Sequence, residues 1–400
     1  MAQRASGPVM AHSTSSIYPP AAAASGSDTH RRPAWLDVDL GSIRRNAERL
    51  QAAAGVPIIA MVKADGYGCG AIAVARTLVP MGHRLWGFGV ATLAEAASLR
   101  DAGIEERMIC FTPLLPGELE EAHRLLVRPS LHREPDIRAW AATGAPWHLS
   151  IDTGMSRAGI RWDDVASLLP ALRQHPPEGV FTHFHSAEMR NGSQAIQEAR
   201  LEHALDELRA GHALPEGTLV HRDNSAGIAS RARLRQTSPG AIARTGIGIY
   251  GAVVDDMGLE QTVHLRARVI DLHDVREGET VSYCGEWRAT RTHRIATVAV
   301  GHGDGYRRAL SGKGIGLLHG SEAPVTGIVT MDMTMIDVTG MRCDIGDVVT
   351  MLGRDGARCL TTDDVAARGG LSPYELLVGL RLRLPRIYRE SMTEESGAYH

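Results

Sequence analysis

Lys63 stands where an apolar run ends and a glycine-rich turn begins, in Ile58-Ile59-Ala60-Met61-Val62-Lys63-Ala64-Asp65-Gly66-Tyr67-Gly68-Cys69-Gly70. The run at 58–62 predicts a buried strand, so the lysine is delivered to the loop at that strand's C-terminal end. A partly desolvated amine in such a place suits Schiff-base chemistry. The glycines around Tyr67 let backbone approach a ligand closely. The alternative is a strand-end lysine that snorkels to solvent, and this window does not choose between them.

The surrounding pattern alternates strands and helices. Strands are predicted at 34–40, 58–62, 85–90, 108–112, 147–151, 179–183, 218–221 and 241–246. Helices are predicted at 42–49 with Ser42 as cap, at 71–79, after a Thr92 cap to 100, at 117–126, 162–173 and 194–209, and as a short helix after 221. About eight β/α units over roughly 230 residues fit a closed (β/α)8 TIM-type barrel better than an open sheet. Reactive residues of such barrels sit at strand C-terminal ends. Lys63, Asp152, Arg157, His183, Ser225 and Arg244 all fall at or just after predicted strand ends.

After about residue 262 the texture changes to short β-rich segments at 263–273, 280–283, 294–300, 314–318, 324–330, 334–338 and 348–352, split by Gly and Asp turns. A helix at 361–369 and a strand at 379–385 close the chain. This spacing predicts a compact, mostly-β domain. The domain plan is thus a leader at 1–33, a barrel at 34–262, a β domain at 263–390 and a tail at 391–400. The leader is rich in Ala, Ser, Pro and Gly and is expected to be disordered, as is the tail.

The chain has 400 residues, enough for about two domains. A net charge of −3 argues against a general nucleic-acid binder, and no apolar run approaches a membrane span. Five cysteines without paired spacing read as reduced thiols in a cytoplasmic protein. The 18 histidines form no HExxH or Cys/His cluster, so no metal site is expected.

Nine separated motifs then occur in one order: Val-Lys-Ala-Asp-Gly-Tyr-Gly at 62–68, Ile-Asp-Thr-Gly-Met-Ser-Arg at 151–157, Thr-His-Phe at 182–184, Asn-Ser at 224–225, Arg-Thr-Gly-Ile-Gly-Ile-Tyr-Gly at 244–251, Val-Ser-Tyr at 281–283, Gly-Asp-Gly-Tyr at 303–306, Met-Asp at 331–332 and Tyr-Glu at 374–375. From about Trp35 to Tyr388 the chain resembles the alanine racemase family, pyridoxal-phosphate enzymes with an N-terminal barrel and a C-terminal β domain. The resemblance implies that Lys63 forms the Schiff base with the cofactor and then serves as base on one face of the substrate. It implies that Tyr283 is the base on the other face and reaches the lysine of a partner subunit, making a homodimer with shared active sites. Arg244 matches the arginine facing the pyridine nitrogen, and His183 the histidine contacting that arginine. Tyr67, Asn224, Ser225, Gly246, Ile247 and Tyr374 match the remaining cofactor contacts, mostly around the phosphate. Arg157 and the backbone N–H of Met331 match the substrate carboxylate site, and Asp332 reads as a local structural or channel-mouth group. The implied function is interconversion of L- and D-alanine, supplying D-alanine for peptidoglycan.

Some positions depart from the family pattern. Ser150 stands where a lysine that becomes carbamylated is common, His302 where tyrosine is usual, Cys69 where histidine is usual, and Thr330 and Met333 where Cys and Gln are usual. His302, Glu188 and Arg308 are candidates for shaping specificity at the channel mouth. Competing functions are a racemase of serine or broader specificity, a decarboxylase of basic amino acids, and a non-catalytic pyridoxal-phosphate carrier. Arg244 argues against the decarboxylase, which usually has a carboxylate there. The β domain argues against the carrier, which is a single barrel.

Overall fold

The structure, a computed structural model, describes residues 33–189, 191–253, 257–380 and 382–391. Apart from Pro33 and Ser391, the expected leader and tail lie outside the described residues. Parallel strands Ile58–Met61, Leu85–Val90, Met108–Cys110, Val127–Leu131, His148–Asp152, Gly179–Phe181, Leu219–His221 and Ala243–Thr245 form the first sheet. Ala243–Thr245 pairs back onto Ile58–Met61. The last seam is joined by Ala241 N–H donating to Val220 O at 2.8 Å and Arg244 N–H to Asp223 O at 2.9 Å. The result is a nearly closed eight-stranded barrel. Its strands are almost wholly buried, as apolar runs covered on both faces must be.

One barrel strand differs from the sequence expectation. The sequence pattern puts residues 34–40 in the barrel, but Ala34–Asp39 runs antiparallel to Val263–Val275 and parallel to Arg386–Arg389 in the second sheet. Its place in the barrel belongs to Val127–Leu131, which Pro129 disguises because proline is rare inside strands. The physical reason lies in Asp37. This fully buried carboxylate accepts from Arg389 Nε at 2.8 Å and lies 3.5 Å from Arg266 Nε, and both cations belong to the second sheet. A buried carboxylate without such partners would be strongly destabilising. The following helix, Leu40–Ala54, is capped by Asp39 rather than Ser42: the Ser42 N–H donates to Asp39 Oδ1 at 2.7 Å.

The second sheet runs in the order Ser321–Pro324, Ile315–Leu318, Val348–Asp355, Val263–Val275, Ala34–Asp39, Arg386–Arg389. Val263–Val275 shifts register between Val269 and Asp271, and beyond that bulge it pairs with His293–Val298. Two further expectations change here. The segment 324–330 is mostly turn, with Gly327 at φ +74°, and the chain end folds as a helix Pro373–Gly379 before the strand Arg386–Arg389. That helix and strand grip the lysine loop. Arg386 Nε donates to Gly68 O at 3.1 Å, and a Cβ at Gly68 would meet Leu377 O at 2.8 Å.

Candidate active site

Lys63 lies at the C-terminal mouth of the barrel and is half-buried. Burial lowers its pKa, Arg157 lowers it further, and Glu95 opposes both. The loop that follows is a left-handed turn: Ala64, Asp65, Gly66 and Tyr67 have φ of +52°, +53°, +61° and +54°. Each non-glycine residue there costs about 1–2 kcal/mol. The turn is held by Asp65 Oδ1, which accepts from Ala71 N–H at 2.9 Å, and by Glu95 Oε1, which accepts from Ala64 N–H at 2.7 Å. Tyr67 is buried against Tyr250, with ring centroids 4.6 Å apart, and Tyr374 lies 6.2 Å from it on the closing helix.

Arg244 is buried in its strand, and burial lowers its pKa to about 10. Nη1 meets His221 Nδ1 at 2.9 Å and donates to His221 O at 2.7 Å, while Nη2 donates to Thr182 O at 2.6 Å and Arg222 O at 3.0 Å. Those contacts use its four terminal protons. Nε–H is the donor left for a ligand. The histidine that contacts Arg244 is therefore His221, not His183 as the resemblance implied. His183 senses Arg244 only electrostatically: burial, then Arg244, Arg157 and Lys63, push its pKa down to about 3. Three cations thus surround one neutral imidazole at the mouth.

Behind Arg244 a buried chain continues. His221 Nε2 lies 2.8 Å from His148 Nδ1, and His148 Nε2 lies 3.2 Å from Glu178 Oε2. Glu178 also accepts from Arg128. Burial pushes the Glu178 carboxyl up, but the bonds from His148 and Arg128 outweigh it and hold it at about 2. Gly179 makes room for the contact, since a Cβ there would sit 2.5 Å from His148 Nδ1.

Ser225 opens the helix Ser225–Arg233, which Asn224 caps by accepting from Gly227 N–H at 2.8 Å. Ser225 Oγ accepts from Gly246 N–H at 2.9 Å and Gly248 N–H at 3.4 Å. A Cβ on Gly246 would come within 2.7 Å of Tyr67 Oη. Helix N-terminus, hydroxyls and close glycine backbone form a cradle suited to a phosphate. Ile247 is buried beside it at the start of a short 3-10 turn.

Arg157 is exposed on the loop after His148–Asp152 and makes no hydrogen bond or ion pair among the described residues. Ser150 is buried within that strand. Met331 tops a turn closed by Thr330 N–H donating to Met333 O at 3.0 Å. Its own N–H donates to no described residue, while its carbonyl accepts from Gly303 N–H at 2.8 Å. Asp332 is structural: Arg383 bridges it, at 2.7 Å, to the buried Asp304. Tyr283 is not a strand residue. It is 67% exposed in a turn, on the rim of a cleft of about 560 Å³ with Thr330 and Met335. No described interaction joins it to Lys63 of its own chain.

The family model for the alanine racemase N-terminal domain matches residues 38–254, and that for the C-terminal domain matches 262–388. An alanine racemase from Deinococcus radiodurans is 35% identical over 87% of this chain and 97% of its own. The chain belongs to the alanine racemase family. Members of the family are amino-acid racemases, which are isomerases. Among solved structures, the alanine racemase from Bacillus anthracis with bound L-Ala-P is 29% identical, covers 91% of this chain and 96% of that one, and superposes with a TM-score of 0.81. The alanine racemase from Bartonella henselae, a structure with covalently bound pyridoxal phosphate, shares the fold at 24% identity, with a TM-score of 0.80 over 89% of this chain and 99% of that one.

Family motifs did not point to His221, His148, Glu178 or Glu95. Glu178 left no local signal in the sequence, but the other three did. His148 and His221 interrupt otherwise apolar strands, and a buried polar residue is the informative kind. Glu95 completes the capping pattern Thr92-Leu-Ala-Glu95.

Proposed function

We propose that this chain interconverts L- and D-alanine with pyridoxal phosphate as cofactor, in a homodimer whose active sites are shared. The cofactor fits the residues present: the Ser225–Gly246 cradle takes a phosphate, Lys63 offers the amine, and Arg244 keeps one N–H free for the ring. Bound there, the cofactor withdraws electrons from the substrate Cα and acidifies its proton. The observation that carries the reading is that the Ser225–Gly246 cradle and the buried Arg244 lie at the end of Ala243–Thr245, the strand paired with Ile58–Met61, from which Lys63 emerges at the same barrel mouth.

Each residue then has a role its surroundings allow. Arg157, unpaired and exposed, and the free N–H of Met331 bind the substrate carboxylate through charge-assisted bonds. Lys63, with its pKa lowered, holds or accepts the Cα proton on one face. Racemisation needs a second group on the opposite face, because one base would return the same hand. Tyr283 of the partner subunit fills that role, which agrees with its exposure and its separation from its own Lys63. Arg244 stays charged and has only donors, so it could not accept a hydrogen bond from a protonated ring nitrogen; it would leave that nitrogen unprotonated and the ring a weaker electron sink, which would suppress transamination. Tyr67, Asn224, Ser225, Gly246, Ile247 and Tyr374 hold the phosphate end. We place residues 40–262 with the cofactor, and residues 263–390, whose sheet Ala34–Asp39 joins, with Tyr283. The D-alanine formed would supply peptidoglycan from the cytoplasm.

The test is incubation of the purified, cofactor-loaded chain with a panel of L-amino acids in deuterated water. Exchange of the α-proton with loss of optical rotation on L-alanine is expected. Release of carbon dioxide, or cofactor binding without exchange on any amino acid, would sink the reading. Preference for serine would redirect it to a serine racemase.

A further inference from the structure

We propose that Glu95 is a positioning residue for Lys63: one carboxylate ties the lysine loop to the neighbouring barrel loop and supplies the negative charge facing the amine. The proposal rests on Lys63 as a catalytic base. In an ordinary capping box the glutamate reaches back to its own helix start. Glu95 does this with Oε2, which accepts from Ala91 N–H at 2.7 Å and Thr92 N–H at 3.3 Å. Thr92 Oγ1 returns the contact by accepting from Glu95 N–H at 3.2 Å. Oε1 is left over, and it accepts from Ala64 N–H, the residue next to Lys63.

Ala64 and Ala91 follow two adjacent parallel strands, Ile58–Met61 and Leu85–Val90. Glu95 therefore couples a sound helix start, fixed on the barrel, to a left-handed turn that L-residues resist. Without the carboxylate, Ala64 N–H loses its acceptor at the point where the lysine leaves the strand. The titratable and charged groups facing Lys63 come from three other elements: the charged Glu95 from the helix Leu93–Asp101, the charged Arg157 from the loop after His148–Asp152, and the neutral His183 after Gly179–Phe181. Glu95 is the one anion among them and opposes the effect of burial and of Arg157 on the amine.

Two variants of the full, cofactor-loaded chain separate the two roles. Glu95→Gln loses the charge and keeps one acceptor oxygen, which serves either Ala64 N–H or the Ala91 and Thr92 N–H groups; Glu95→Ala loses the charge and both acceptors. Amide exchange of peptides covering 63–68 reads the tether. The pH profile of kcat in both reaction directions reads the charge. In Glu95→Gln, where one acceptor oxygen remains, exchange should rise less than in Glu95→Ala. The acidic limb of kcat should move to lower pH in the direction that uses Lys63 as base, and the basic limb should also move to lower pH in the reverse direction, where Lys63 must start protonated. In Glu95→Ala, exchange should rise about tenfold and kcat should fall by a similar factor. Unmoved limbs in Glu95→Gln, or parental exchange in Glu95→Ala, would overturn the proposal. Should Glu95→Ala not fold, the limbs of Glu95→Gln decide alone. If Lys63→Ala kept racemase activity, the base assignment itself would fail, and the exchange data would still report whether Glu95 holds the turn.

Discussion

His221 must accept a hydrogen bond from Arg244. The guanidinium has only donors, and its Nη1 lies 2.9 Å from His221 Nδ1, so the proton of this imidazole sits on Nε2. That proton points at His148 Nδ1 at 2.8 Å, which in turn leaves the His148 proton on Nε2 toward Glu178. Burial pushes both histidines toward the neutral form. Every tautomer in the chain from Arg244 to Glu178 is thus set by one arginine, and its orientation is set in return.

Replacing His221 by Leu removes one of the two acceptors of Nη1 and loosens the orientation of Arg244, which is then held by backbone carbonyls alone. A hydrogen bond to a charged group contributes about 1.5–3 kcal/mol, so kcat/KM should fall by roughly tenfold to a hundredfold. Cofactor affinity, read by titration of the cofactor-free chain, should change less, because the phosphate cradle is untouched.

Arg244→Glu places an acceptor where the ring nitrogen would lie. The ratio of pyruvate released to alanine racemised should then rise, measured by coupled reduction of pyruvate during turnover. An unchanged ratio would count against the account of reaction specificity given for Arg244.

Gly246→Ala sets a Cβ about 2.7 Å from Tyr67 Oη. Overpacking of this kind typically costs about 1–3 kcal/mol. Cofactor binding should weaken by about tenfold or more in a fluorescence titration, while the far-ultraviolet dichroism stays that of the parent.

Subunit mixing tests the shared site. Lys63→Ala and Tyr283→Phe chains should each be nearly inactive alone. Unfolded together and refolded, they should recover up to about a quarter of parental activity, since half the dimers are mixed and one of their two sites is intact. If Tyr283 served its own chain's Lys63, mixing would restore nothing.

Acid sensitivity follows from His264, far from the chemistry in the second sheet. Burial, with Arg266, Arg354 and Arg389 nearby, pushes its pKa down to about 3, against an ordinary value near ~6.5. The folded pKa is depressed, so the stability it contributes is full above the unfolded value and is lost as pH falls toward 3. The slope is about 1.4 kcal/mol per pH unit below ~6.5 for each such group. Urea midpoints measured from pH 7 to 5 should fall, and His264→Gln, which retains an acceptor for the Arg354 N–H that bonds Nδ1 at 3.0 Å, should flatten the decline.

The sequence revealed the parts of the site that are local. Lys63 with its glycine turn, Asn224-Ser225 and the glycines after Arg244 are each contained in a few residues, and strand–loop junctions are visible as changes of pattern. Whatever depends on register was hidden. His148 and His221 are 73 residues apart and meet only because two parallel pairings align them across Gly179. The same limit misplaced residues 34–40. Their alternation was correctly read as a strand, but its partners were decided by Arg266 and Arg389, which neutralise Asp37 from far along the chain. Tyr283 was legible only as a motif, because its exposure on this chain gives no hint of what it faces.

The position of Ala34–Asp39 between Val263–Val275 and Arg386–Arg389 has a consequence for biosynthesis. Ala34–Asp39 must wait for Val263–Val275 and then for Arg386–Arg389 before both its edges are paired. Arg386, which fastens Gly68 in the lysine loop, arrives at the same late moment. A nascent chain can form the barrel early, yet its lysine loop is clamped only once Arg386 has been made, so chains truncated before Arg386 should be devoid of activity even where most of the barrel has folded.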